Sequence, residues 1–310
     1  MMPEGKVAKG LIFDISRYAI HDGPGIRATV FFKGCPLRCQ WCHNPEGQEP
    51  KPEIAVKTER CAAECGRCLS VCPQGAISKN GPSIAVDREK CDSCGKCKDV
   101  CVYEALDIIG REVTVQDVMK EVEKDRVFFD ESGGGVTFSG GEPLLQPDFL
   151  VALLQEFKKK GIRTTVDTSG YASTKILDRI SDNVDLFLYD LKVMDPKKHR
   201  KYAGVSNEII LENLRRLSEK GKKVIIRIPV IPGVNDDREN MKAIAEYLLS
   251  LKNIKQINLL PFHRGGVQKY KRLGKKNLTE SLQPPSNDKI NEIKKIFIDS
   301  GFVLEKKGEP

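Results

Sequence analysis

The stretch KGCPLRCQWCHNPE, residues 33–46, places Cys35, Cys39 and Cys42 within eight residues, with Trp41 directly before the third. Thiolates crowded in this way suit metal ligation, because chemistry rather than packing usually decides where cysteines cluster. A [4Fe–4S] cube takes four ligands, so three protein thiolates leave one iron open. An open coordination position is where a metal centre does its chemistry. Eight of the chain's 11 cysteines lie elsewhere, so the missing fourth ligand does not reflect a shortage of thiols.

Those eight form an internal repeat. CGRCLSVCPQGAI returns as CGKCKDVCVYEAL, so Cys65, Cys68 and Cys72 recur as Cys94, Cys97 and Cys101. With Cys91 the second copy reads C-x2-C-x2-C-x3-C, the bacterial ferredoxin run in which the fourth cysteine ligates the other cluster. The pattern predicts Cys61, Cys65, Cys68 and Cys101 on one [4Fe–4S] cluster, and Cys91, Cys94, Cys97 and Cys72 on a second. Two departures loosen the loop detail: three residues separate Cys61 from Cys65, and Val102 follows Cys101 where proline is usual. Structural zinc also takes four thiolates, but three ligands on one tight loop fit a cubane face better than zinc's two paired knuckles.

Further motifs surround the first cysteines: HDGPGIR (21–27), VTFSGGEPLLQ (136–146), DTSG (167–170), YDLK (189–192), IRIPVIPG (226–233) and LLPFH (259–263). CPLRCQWC resembles the cysteine signature of radical S-adenosylmethionine (SAM) enzymes. HDGPGIR and the order of the other blocks are similar to the activases of glycyl radical enzymes, in the subgroup with a ferredoxin-like insert. The resemblance implies that SAM chelates the open iron and is cleaved reductively to a 5′-deoxyadenosyl radical. That radical takes hydrogen from one glycine of a partner glycyl radical enzyme. A flavodoxin or ferredoxin is the expected electron donor.

The resemblance also assigns roles. Gly140, Gly141 and Glu142 belong to the motif that meets the methionyl amino group, and glycines there let a ligand reach backbone carbonyls. Trp41 and His43 are expected to pack on adenine, Arg227 on the ribose side and His263 on the adenosyl portion. Asp167 and Thr168 would help hold a monovalent cation, although Thr168 or Ser169 could equally cap a helix. Asp190 and Lys192, two apart on a strand, point the same way; they are read as cofactor and substrate contacts, or else as a buried ion pair. Asp22, Gly23, Gly25 and Arg27 would grip the partner's glycine loop, where a plain turn is the alternative. His21 has only its motif position in its favour. Arg227 interrupts the apolar run VIIRIPV and so requires a partner whatever its role.

The elements that must position these residues are also legible. Short β-branched runs at 28–34, 135–139, 163–167, 186–192, 223–230 and 256–262 alternate with amphipathic stretches such as PDFLVALLQEFKKKG and RENMKAIAEYLLSLK. A βαβα order implies a parallel sheet with helical crossovers. The expected fold is therefore α/β, a partial (β/α)6 radical SAM barrel (1–57 and 108–310) with loops after the strands forming the active face. A bacterial-ferredoxin-like domain with two [4Fe–4S] clusters would be inserted at 58–107.

Composition excludes several classes. With 40% hydrophobic and 30% charged residues in 310, the chain is that of an ordinary globular protein. No apolar run approaches the roughly 18 residues of a membrane span. The opening MMPEGKVAKGLIF lacks a signal-peptide core, so the expectation is cytoplasmic, where thiols stay reduced. The net charge of +8 raises nucleic acid as a partner, but the basic runs carry no aromatic platform. The expectation is a monomer with neither nucleic acid nor membrane as partner. The stretch HRGGVQKYKRLGKKN (263–277), with six Lys or Arg and no acid, reads as a mobile partner-binding loop. A polyferredoxin-type electron carrier, or a radical SAM enzyme acting on a small molecule, are the rival functions.

Overall fold

The computed structural model describes residues 8–62 and 64–304. Thirteen strands run in chain order among these residues. They are β1 (Lys9–Ala19), β2 (Arg27–Phe32), β3 (Glu53–Val56), β4 (Ile77–Asn80), β5 (Ser83–Val86), β6 (Leu106–Ile109) and β7 (Arg111–Thr114). After them come β8 (Gly135–Gly140), β9 (Arg163–Thr168), β10 (Leu186–Asp190), β11 (Val224–Val230), β12 (Gln256–Pro261) and β13 (Val303–Leu304). Nine of them form one sheet in the order β13-β12-β11-β10-β9-β8-β2-β1-β7. The run from β2 through β8 to β13 is parallel, while β1 and β7 extend it antiparallel.

The six parallel strands expected from the β-branched runs are β2 and β8 to β12, each within a few residues of its anticipated limits. β2, β10 and β11 read as near-continuous apolar runs because both faces of the sheet are covered, as parallel strands require. The helix Pro147–Lys159 shows how. Proline opens it, where its missing N–H costs nothing, and it buries Phe149, Leu150, Leu153, Leu154 and Phe157. Phe149 packs on Phe32 of β2 and Phe157 on Phe138 of β8, with ring centroids 5.7 and 5.9 Å apart.

The sequence did not announce β1, β7 or β13. Only Gly10 and Ile12 of the 11 residues of β1 are buried, so it carries little hydrophobic signal. Its register with β2 also shifts twice.

The cysteine-dense segment forms a small unit with its own apolar cluster of Ile54, Val56, Ile77, Ile84, Cys97 and Leu106. β4 and β5 are a hairpin, and β3 pairs with β6. Residues 53–56, read with the larger part, therefore go with the small unit by pairing and by packing. Glu53 fastens the unit to the cysteine loop: its carboxylate meets Lys33 Nζ at 2.9 Å and Lys275 Nζ at 2.8 Å. The same two ammonium groups donate to the carbonyls of Glu46 (2.6 Å) and Pro45 (3.1 Å). Burial pulls the Lys33 ammonium below its ordinary pKa, opposed by Glu53.

The basic stretch at 263–277 is not a free loop. It contains the helix Val267–Arg272, with Tyr270 buried. Lys269, Lys271, Arg272 and Lys275 pair with Glu46, Glu280, Glu59 and Glu53. Half of its six charges are thus spent holding the cysteine loop and the small unit. Reversing Lys275 would break a half-buried structural contact before it disturbed any partner.

Candidate active site

Six of the parallel strands, β2 and β8 to β12, deliver residues to one cavity. The loop after β2 brings Cys35, Cys39, Trp41, Cys42 and His43 to its wall; β8 ends there in Ser139 and Gly140. Asp167 and Thr168 close β9, Asp190 closes β10 with Lys192 just beyond, β11 contributes Arg227 and Pro229, and β12 contributes Leu260. The three thiols thus share a wall with the charged residues that the motifs singled out.

Burial pushes all three thiols upward, Cys39 to about 12. A desolvated thiolate needs compensating positive charge, which cluster iron would supply. The donor set therefore fits the group. His43, on the same wall, keeps Nε2 buried without a protein partner, an orphan of the kind that a bound ligand satisfies. Burial and the nearby His263 lower its pKa to about 4.

Five charges converge at the strand ends: Asp22, Asp167, Asp190, Lys192 and Arg227. Asp167 Oδ2 accepts from Ser139 Oγ at 2.6 Å and lies 3.2 Å from Arg227 Nη1. Asp22 Oδ1 lies 4.0 Å from the same guanidinium, and Asp22 Oδ2 accepts from Thr29 Oγ1 at 2.6 Å. Burial, opposed by Arg227 and reinforced by Asp190 and Asp22, raises Asp167 to about 6. Lys192 Nζ donates to Asp190 Oδ2 at 2.6 Å. Burial pulls its ammonium down, but Asp190, Cys39 and Asp167 outweigh that, and its pKa is raised overall.

Several expected site residues sit elsewhere than the motifs implied. Glu142 is fully buried. Its carboxylate accepts from Leu144 N (3.1 Å), Thr168 Oγ1 (2.6 Å), Ser169 N (2.9 Å) and Ser169 Oγ (2.5 Å). With four donors from the protein, it ties the GGEP turn to the DTSG loop and has nothing left for a cofactor amine. Thr168 accordingly has its hydroxyl engaged by Glu142. His263 is exposed and stands behind His43, with ring centroids 4.1 Å apart, one layer away from the cavity. Arg27 is 2% exposed. Its guanidinium donates to Thr137 Oγ1 (2.7 Å) and to the carbonyls of Val136 (2.7 Å) and Pro24 (3.1 Å). It therefore braces HDGPGIR rather than offering hydrogen bonds to another protein. Gly25 is needed at φ 71° and by its contact with Gly134, whose nitrogen a Cβ would approach to 2.5 Å. Of that motif, Asp22 is the side chain that reaches the interior charges.

Gly140 and Gly141 both line the cavity, and Gly141 is needed for a second reason. A Cβ on Gly141 would lie 2.2 Å from Gly34 O and 2.5 Å from Gly47 O. The cysteine loop packs directly on this glycine. Gly141→Ala is expected to force these backbones apart, lowering Tm by several degrees. It should also abolish SAM binding in equilibrium dialysis of cluster-loaded protein.

Two contributors, Ser139 and Asn235, go unnamed in the sequence reading, and Ser169 enters it only as a possible helix cap; Ser139 lies inside a quoted motif but carries no signal of its own. Asn235, fully buried, donates through Nδ2 to Lys192 O (2.7 Å) and Pro229 O (2.6 Å) and accepts from Ile231 N (2.8 Å). It thereby joins the ends of β10 and β11.

The remaining eight thiols fall into two groups. Cys61, Cys65, Cys68 and Cys101 line one small cavity, and Cys72, Cys91, Cys94 and Cys97 line another. All 11 cysteines are free thiols. Among the described residues no helix is long and apolar enough to cross a membrane.

A parallel α/β sheet whose strand ends gather three thiols and a glycine turn defines a radical SAM fold. The sequence matches the Radical SAM superfamily over residues 89–245 and a 4Fe-4S single cluster domain over residues 21–78. It is 48% identical over 295 residues to the trans-4-hydroxy-L-proline dehydratase activating enzyme of Clostridioides difficile, covering 94% of this chain and 97% of that one. It is 45% identical to the isethionate sulfite-lyase activating enzyme of Oleidesulfovibrio alaskensis (86% and 88% covered). Identity is 40% to the indoleacetate decarboxylase activating enzyme of Tractidigestivibacter scatoligenes (95% and 96%). The chain belongs to the radical SAM superfamily and, within it, to the activating enzymes of glycyl radical enzymes.

Proposed function

We propose that this chain uses three [4Fe–4S] clusters and SAM to install a radical on one glycine of a partner enzyme, within a partial (β/α)6 barrel that carries a two-cluster insert. The observation that carries this reading is the shared cavity of Cys35, Cys39 and Cys42 with Gly140, Asp167, Asp190, Lys192 and Arg227.

Cys35, Cys39 and Cys42 would hold the active-site cluster. Cys61, Cys65, Cys68 and Cys101 would hold a second, and Cys72, Cys91, Cys94 and Cys97 a third; their grouping around two cavities supports that division. When bound, the open cluster and SAM supply a 5′-deoxyadenosyl radical that takes the hydrogen from the glycine Cα. The protein contributes placement and the exclusion of water. Trp41, packed on Val193, Ile231 and Phe262, offers a rigid apolar wall for the adenine, and His43 supplies its unpartnered Nε2. Gly140 and Gly141 bring the backbone of the GGEP turn beside the cysteine loop. Glu142 fixes that turn without touching the cofactor. Arg227, held by Asp167, faces the ribose side. Asp190 and Lys192 present opposite charges to the methionyl end, and Asp167 with Thr168 stands where a monovalent cation would be held. Asp22 stands where the glycine segment would arrive.

The relatives named above serve a dehydratase, a sulfite-lyase and a decarboxylase at similar identity, so identity alone does not select the partner. Trans-4-hydroxy-L-proline dehydratase is the first partner to try. A flavodoxin or ferredoxin supplies the electron, and the chain acts as a cytoplasmic monomer.

The test is anaerobic incubation of the reconstituted chain with SAM, a reductant and a panel of glycyl radical enzymes of those three kinds. A glycyl doublet in the electron paramagnetic resonance spectrum of one of them, with an equivalent of 5′-deoxyadenosine, is expected. SAM cleavage that never yields a protein radical, while a small molecule is consumed, would transfer the reading to a small-molecule radical SAM enzyme.

A further inference from the structure

Beside the HDGPGIR loop lies a surface that the chemistry above leaves unused. Tyr18, Ile20, Val127 and Phe128 are large apolar side chains open to solvent, between 39% and 68% exposed. Single exposed apolar residues need no explanation, whereas grouped ones mark interaction sites. Tyr18 and Phe128 meet edge to face, with centroids 5.1 Å apart and planes at 83°.

The group is built rather than incidental. Tyr18 has φ 59°, an unfavourable backbone conformation for a bulky residue. It lies where the β1–β2 register shifts between Ser16 and Ala19, and a bulge re-aims side chains out of the strand's alternation. Arg17 supports its ring, with the guanidinium carbon 5.1 Å from the centroid and Nη2 3.2 Å from the hydroxyl. Arg17 Nε also donates to both oxygens of Asp125 at 2.9 Å. Asp125 is fully buried and directly precedes the helix Arg126–Ser132, which carries Val127 and Phe128. One ion pair therefore joins the two halves of the patch.

The patch is also continuous with the interior. Ile20 precedes Asp22 by two residues, at most about 7 Å of chain, and Asp22 belongs to the charge group around Arg227. Ser132, at the end of the same helix, accepts through Oγ from Ile26 N at 2.8 Å. Patch and loop are thus tied together.

We propose that Tyr18, Ile20, Val127 and Phe128 form the docking face for the folded body of the partner glycyl radical enzyme, flanking the point where its glycine segment enters. This rests on the functional reading above. A short glycine segment buries too little surface to hold two proteins together, since a stable interface takes roughly 800 Å² from each side. Folded surface beside the entering segment must therefore meet this chain next to Asp22. Tyrosine and arginine are the residue types that anchor such contacts.

The test uses the cluster-loaded full chain, the partner that the wild type radicalises in the panel above, and a synthetic peptide spanning that partner's glycine segment. The variants are Tyr18→Asn, chosen because asparagine tolerates a positive φ, and the double variant Val127→Ser, Phe128→Ser. Radical formation on subsaturating intact partner is expected to fall at least tenfold in each, with a matching loss of affinity for it. Uncoupled SAM cleavage and hydrogen abstraction from the peptide should stay at the wild-type level. Wild-type rates on the intact partner overturn the docking face. Equal losses on peptide and intact partner overturn it too, because the residues would then be supporting the site. A wild type that radicalises no member of the panel overturns the functional reading itself, and this inference with it.

Discussion

Cys39→Ala is expected to yield no detectable 5′-deoxyadenosine while retaining about eight of the roughly twelve irons that three cubes hold. Cys39 sits among the most desolvated groups of the cavity, its thiol pushed up to about 12 by burial, with Lys192 opposing that rise. Once the thiolate is gone, nothing beside it substitutes: its neighbours Asp190 and Lys192 are committed to one another at 2.6 Å. The active-site cube would be left with two protein ligands. The other eight thiols line separate cavities and should keep their clusters. Iron and sulfide analysis, Mössbauer spectra and product chromatography read the two halves of the prediction independently. Wild-type cleavage in this variant would remove the three-cysteine loop from the chemistry. Loss of all twelve irons would mean that the loop and the small unit do not load separately.

The cysteines proposed as ligands are the residues that sequence exposes best, because spacing is itself the signal. C-x3-C-x2-C and the tandem ferredoxin run need no fold to be read. The cross-grouping of Cys101 with Cys61, and of Cys72 with Cys91, follows from the repeat alone. The six parallel strands were legible for a similar reason: buried on both faces, they stand out as β-branched runs. What sequence hid are the contacts in which one motif serves another. Glu142 reads as a ligand in GGEP, but its acceptors are filled by Thr168 and Ser169 from 26 and 27 residues away. Arg27 reads as a partner contact, yet it spends its donors on carbonyls of its own loop and sheet. The lysines of 263–277 read as a free basic run because acids they pair with lie more than 200 residues earlier, as with Lys269 and Glu46 or Lys275 and Glu53. β1 was missed because an antiparallel extension with two register shifts carries neither a two-residue alternation nor an apolar run.

The second large effect concerns the small unit. The two clusters proposed for it would have all their ligands supplied by protein and could not take up SAM, so they would act either as an electron relay or as a staple for a unit with a small core. The structure guides which cysteine separates these. Cys97 belongs to the apolar cluster with Ile54, Val56 and Leu106, and removing it would damage packing along with ligation. Cys94 is exposed, so Cys94→Ala takes one ligand from the cluster of Cys72, Cys91 and Cys97 with the least injury to the core. The unit's attachment favours a relay. Ser93, next to Cys94, donates through Oγ to Pro52 O at 3.0 Å, and Pro52 adjoins Glu53, which Lys33 and Lys275 hold against the cysteine loop. A purely stabilising unit would not need this tether to the strand that leads into Cys35. With a flavodoxin or ferredoxin as donor, Cys94→Ala is expected to slow SAM cleavage more than tenfold. With dithionite, small enough to reach the active-site cluster through the open cavity, the loss should be within a few-fold. The decisive quantity is the ratio of the two losses. A staple lowers Tm and both rates together, whereas a relay lowers the protein-donor rate alone while Tm stays near that of the wild type. Equal losses with the two reductants would make the clusters structural, and the electron would then have to enter at the cavity itself.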